Sequence, residues 1–85
     1  MRSFDYTIKD EIGIHARPAG NLAKLAKQFS SKITVSKGEQ EVNAQKLMML
    51  MGLGIKQGDT VRVCITGEDE ELAEKSIRSF FEDNL

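Results

Sequence analysis

The apolar positions change period repeatedly along the chain, and each change marks an element. Phe4, Tyr6 and Ile8 alternate with polar neighbours, the two-residue period of a half-buried strand. Glu11-Ile12-Gly13 interrupts that alternation as a loop. Beyond Pro18 the period lengthens: Ala19, Leu22, Ala23, Ala26 and Phe29 form a helical stripe, with Arg17, Asn21, Lys24 and Gln28 on the wet side. Pro18 marks the helix start, where a missing N–H costs nothing. Ile33 and Val35 alternate in a second strand, Val42 centres a third, and Lys37-Gly38 reads as the hairpin turn between them. A short helix is predicted from Lys46 to Leu53, ended by Gly52 or Gly54 in a left-handed conformation. Gly58-Asp59 turns the chain into a fourth strand, with Val61, Val63 and Ile65 on one side and Arg62, Cys64 and Thr66 on the other. The last helix follows Gly67. Glu68 to Glu71 lie at its positive end, and Leu72, Ala73, Ser76, Ile77, Phe80 and Phe81 form its expected buried stripe.

The order is β-α-β-β-α-β-α. Alternating strands imply a sheet covered on one face and wet on the other. We therefore expect an α+β fold, a four-stranded antiparallel sheet with three helices on one face, forming a single domain over 1–85. Helical spacing turns Leu50 and Leu53 toward the core and leaves Leu47, Met48 and Met51 nearer the surface, a soft apolar cluster that also includes Met49.

Composition narrows the function classes. Twelve Lys and Arg oppose thirteen Asp and Glu, a balance that argues against a nucleic-acid binder. The charges are unevenly spread: Glu68 to Asp83 is acidic, while Arg17, Lys24, Lys27, Lys32 and Lys37 make the first half more basic. Cys64 is the only cysteine, so no internal disulfide forms. With no apolar signal core at the start, a reducing cytoplasmic setting is expected. The apolar run from Leu47 to Leu53 is too short to enter a bilayer as a span. One histidine and one cysteine are too few usual ligands for a structural zinc site. Gly52, Gly54 and Gly58 miss the spacing of a dinucleotide fingerprint and lack its parallel βαβ unit, so no cofactor is expected.

The candidate chemistry is His15, in the string Gly13-Ile14-His15-Ala16-Arg17-Pro18-Ala19. A helix start presents unpaired N–H groups and a positive dipole end, which favour an anion. A neutral imidazole nitrogen there can attack phosphorus. Arg17 can reach the same oxygens with a planar fork of donors. On spacing alone, a surface or capping histidine beside a chance arginine is the favoured reading. Lys24 and Lys27, likewise, read either as a recognition patch or as lysines that keep a helix soluble.

That heptapeptide resembles the active-site signature of the HPr family, the histidine phosphocarriers of the bacterial sugar phosphotransferase system. The likeness continues through Val42-Asn43-Ala44, Leu47, Leu53-Gly54-Ile55 and Gly58. It implies an open-faced β-sandwich and a carrier, not a turnover enzyme. By the same resemblance His15 takes phosphate on its δ1 nitrogen from phosphorylated enzyme I and passes it to sugar-specific IIA domains, with Arg17 assisting. Ile12, Gly20, Lys24, Lys27, Lys46, Leu47, Met48 and Met51 fall at partner-facing positions of a monomer. Many family members carry a regulatory serine where this chain has Lys46, which cannot accept that phosphate. Two rivals remain: a carrier for a nitrogen-related or dihydroxyacetone-kinase phosphorelay, and a regulatory module with a vestigial histidine.

Overall fold

In the computed structural model, which describes residues 1–85, seven elements follow the expected order. They are β1 (Arg2–Thr7), α1 (Ala16–Ala26), β2 (Lys32–Lys37), β3 (Gln40–Asn43), α2 (Leu47–Gly52), β4 (Thr60–Thr66) and α3 (Glu70–Asn84). The strands form one antiparallel sheet in the order β1-β4-β2-β3. Its register puts Phe4, Val63, Val35 and Val42 in one row across the sheet. All four are buried, and α1, α2 and α3 cover that face. The adjacent row, Ser3, Cys64, Thr34 and Asn43, belongs to the opposite face, as does the Asp5–Arg62 ion pair at 2.8 Å. The two-residue period thus decides which side the helices cover.

The helices show where local spacing misleads. The buried stripe of α3 is Ala73, Ile77 and Phe81, four residues apart. Leu72, expected inside, is 60% exposed: one residue earlier, it is rotated roughly 100° away around the helix. Ser76 and Phe80 flank the stripe and are half-buried. Phe81 makes edge-on contacts with Phe4 and Tyr6, centroids 5.9 and 5.5 Å apart. Helix α1 ends at Ala26, so Phe29 lies beyond it and packs half-buried against the core. Pro18 is the third residue of α1, not the first, but that position also needs no N–H because the first helical bond runs from Ala19 N–H to His15 O. Gly38 takes the left-handed φ of +61° in a two-residue hairpin loop; Gly52 is the last residue of α2, and Gly54, two residues on, is the one that takes the left-handed φ of +64°.

Two local devices fix the loops. The Asp69 carboxylate accepts the Ser30 and Ser31 N–H groups at 2.9 and 3.0 Å and also the Ser31 hydroxyl, tying the start of α3 to the approach of β2. At the other end, Gly13 has φ +80°, and a Cβ there would lie 2.4 Å from Ile55 O. That close approach lets Ile14 N–H donate to Ile55 O at 3.1 Å. The loop carrying Ile55 is fixed in turn by Asp59, which accepts Lys56 N–H at 2.8 Å and pairs with Lys37 at 2.9 Å.

Two outcomes are expected. Gly13→Ala should destabilise the protein by at least about 2 kcal/mol through backbone strain and the clash with Ile55. Gly20→Ala, mid-helix with open space around it, should stabilise by about 0.5–1 kcal/mol; urea denaturation of both checks the contrast. The Ser31 hydroxyl, first among its partners, holds the Asp69 carboxyl below its ordinary 3.8. A carboxyl held low contributes stability above its unfolded value and loses it as pH falls through the folded one. Asp69→Asn should therefore destabilise at pH 7, and the gap from wild type should narrow in denaturation measured as pH falls progressively below 3.8.

Candidate functional site

The close contact at Gly13 and the Ile14–Ile55 hydrogen bond deliver the chain to His15 in a fixed direction. Ile14 is buried as an anchor. His15 then becomes the N-cap of α1, with extended φ and ψ of −120° and −174°. Its imidazole makes no capping hydrogen bond and takes part in no other side-chain bond of the structure. A serine or aspartate at this position would spend its oxygen on the helix's own amides. Here the amides of Ala16 and Arg17 stay free of intrahelical partners, and His15 itself is half-exposed.

His15 and Arg17 line one open depression of about 330 Å³ together with Asp10, Pro18, Asn21 and Asn84. Arg17 is exposed and enters none of the ion pairs. The arrangement offers a nucleophilic ring nitrogen, two backbone donors and a guanidinium fork to a tetrahedral anion. The sequence reading missed Asp10 and Asn84. Asn84 ends α3, 69 positions from His15 along the chain, and no local pattern links such distant residues.

A second concavity of about 490 Å³ runs between α1 and α2. It brings together Gly20, Lys24, Lys27, Lys46, Leu47 and Met48, six of the eight residues expected to face partners. Met49, a member of the same apolar cluster, lines it as well and is 55% exposed. Leu50 is the buried residue of α2 and Leu53 lies buried just after it, as expected. Met48 is 76% exposed. Met51 is on α2 but outside this groove, and Ile12 stands 69% exposed in the loop ahead of His15. Lys46 is the N-cap of α2 and makes no side-chain capping bond; Asn43 instead accepts the Gln45 N–H at 2.8 Å. No group of His, Cys, Asp and Glu could hold a metal ion. No helix is long and apolar enough to cross a membrane.

Comparison with known proteins points the same way as this geometry. A family model described as the PTS HPr component phosphorylation site matches residues 2–83. The phosphocarrier protein HPr of Mycoplasma capricolum is 38% identical over 78 residues, covering 92% of this chain and 88% of that one. The multiphosphoryl transfer protein of Haemophilus influenzae is 41% identical over 75 residues, 85% of this chain but 15% of its own length. Among solved structures, HPr-C-His from Thermoanaerobacter tengcongensis has a TM-score of 0.92 at 40% identity, covering 98% of this chain and 93% of that one. With the family model spanning nearly its whole length, the chain belongs to the HPr family, the phosphocarriers, rather than turnover enzymes, of the phosphotransferase system.

Proposed function

We propose that His15 accepts a phosphoryl group from phosphorylated enzyme I and hands it to IIA domains. The observation that carries this reading is an uncommitted imidazole at a helix N-cap, sharing one depression with an unpaired arginine. In each transfer a lone pair on the neutral ring attacks phosphorus in line. The new P–N bond forms as the bond to the donor breaks, and the leaving nitrogen keeps the electron pair. Arg17 and the Ala16 and Arg17 amides neutralise charge on the three phosphoryl oxygens. The protein then acts as a cofactor-free single copy in the cytoplasm.

The groove between α1 and α2 is the proposed docking surface. Its apolar part, Leu47, Met48 and Met49, adapts to partners of different shape. Its basic part, Lys24, Lys27 and Lys46, steers acidic surfaces toward it. Gly20 supports the assignment: a glycine inside a helix costs about 0.5–1 kcal/mol, yet nothing crowds the space its side chain would fill. The missing side chain leaves room for a partner. At Lys46 a positive charge replaces the serine of many relatives, so a phosphoserine's added negative charge cannot arise at this position.

Incubation with enzyme I and phosphoenolpyruvate should add one acid-labile phosphoryl group to wild type and none to His15→Ala, read by intact-mass spectrometry. Equal labelling of both would refute His15 as the acceptor. Met48→Asp should slow transfer from enzyme I about tenfold or more, as loss of an apolar anchor does at interface centres. Its melting temperature should stay within about 2 °C of wild type, because an exposed side chain contributes little to the core. A large drop in melting temperature would place Met48 in the core instead.

A further inference from the structure

One charged group in the His15 depression has no part in the transfer described above: the carboxylate of Asp10. It is held from two sides. Its Oδ2 accepts the Ile12 N–H at 3.2 Å, and its backbone oxygen accepts the Gly13 N–H at 3.1 Å, fixing it to the loop that leads to His15. Its own N–H donates to Leu85 O at 2.8 Å, fixing it to the end of α3. No cation neutralises it, since Asp10 is absent from every ion pair of the structure. Asn84, the last residue of α3, lines the same depression with its Nδ2 committed to Phe80 O at 3.0 Å. The C-terminal end of a helix carries negative partial charge. One wall of the depression is therefore positive, from Arg17 and the start of α1, and the other is negative, from Asp10 and the end of α3.

We infer that Asp10 keeps the phosphoryl group transferable: its charge opposes the phosphoryl dianion on His15. This rests on His15 being the acceptor. A site built only of donors would hold the phosphorylated form too firmly to pass it on. A fixed carboxylate raises the energy of that form without touching the unphosphorylated ring. The consequence is on the equilibrium. In the exchange, the P–N bond to one His15 breaks with its electron pair returning to that ring, while a P–N bond forms on the acceptor, so only the difference between the two phosphorylated sites is measured.

The test is a competition. Phosphorylated wild type is mixed with an equal amount of isotope-labelled, unphosphorylated Asp10→Asn and catalytic enzyme I, which shuttles phosphate between them. The partition is read by intact-mass spectrometry. Asparagine keeps an oxygen for the Ile12 N–H, so the loop geometry is preserved; Asp10→Ser serves as a second neutral variant. At low salt the phosphoryl group should favour each neutral variant roughly three- to tenfold, shrinking toward unity at about 1 M salt as the charges are screened. Asp10→Glu, which keeps the charge, should stay within about twofold of unity. An equal partition at low salt, or a preference that salt leaves unchanged, would overturn the inference. Failure of wild type itself to take up phosphate would instead refute the reading of His15.

Discussion

The site depends on one contact between backbones, the approach of Gly13 to Ile55. It places the loop ahead of α1 so near the strand-leading segment that no side chain fits at position 13. The Ile14–Ile55 hydrogen bond contributes about 1 kcal/mol and the burial of Ile14 about 2 kcal/mol more. Together they fix His15 without using its ring. This separates anchoring from chemistry: the backbone and the preceding isoleucine hold the position, and the imidazole keeps both nitrogens for other partners. The loop opposite is fixed by Lys37, which bonds both Gly54 O and the Asp59 carboxylate at 2.9 Å. The Lys37 ammonium holds the Asp59 carboxyl below its ordinary range, so this support is ionic near neutral pH.

The rest of the fold follows from how two faces of a sheet are used. The inner face buries Phe4, Ile33, Val35, Val61, Val63 and Ile65 under helices, and no buried side-chain nitrogen or oxygen lacks a partner. Such a core needs α1 and α3 for coverage, and α2 supplies Leu50 with little else. A helix of six residues could not stand alone. It persists because Leu50 and Leu53 pin it, leaving its remaining apolar side chains exposed. Exposure of Met48 and Met49, and the smaller exposure of Leu47 and Met51, costs solvation free energy. That exposure is the basis for proposing the helix as a docking surface.

What the sequence made legible, and what it hid, divides by the range of the interaction. Alternation in Val61, Val63 and Ile65 and the spacing of Ala19, Leu22, Ala23 and Ala26 are local properties of one strand and one helix, and the structure keeps them. Leu72 and Phe29 depart from the expected stripes because spacing alone takes in neighbours that the true helix axis turns away or leaves past its end. Met49 joins the exposed cluster because a six-residue helix pinned mainly at Leu50 exposes both its sides. His15 and Arg17 lie two residues apart and were readable together. Asp10 and Asn84 join them only because α3 returns across the sheet to the loop after β1, where Lys9 and Asp10 N–H groups meet Leu85 O.

That return explains why the site lies where it does. The inner strands β4 and β2 satisfy their backbone groups within the sheet and helix interiors do the same, so, apart from the outer edges of β1 and β3, free donors and acceptors collect where elements begin and end. The His15 depression is such a seam: the first turn of α1, the loop after β1 and the last turn of α3 converge there. Uncapped amides at α1 present positive partial charge, and the end of α3 presents the opposite pole. A binding site built to retain a ligand would gain from removing the negative wall. For a carrier the two walls together are the useful arrangement, because a group gripped by matched donors on every side would have to be pulled from them at each transfer.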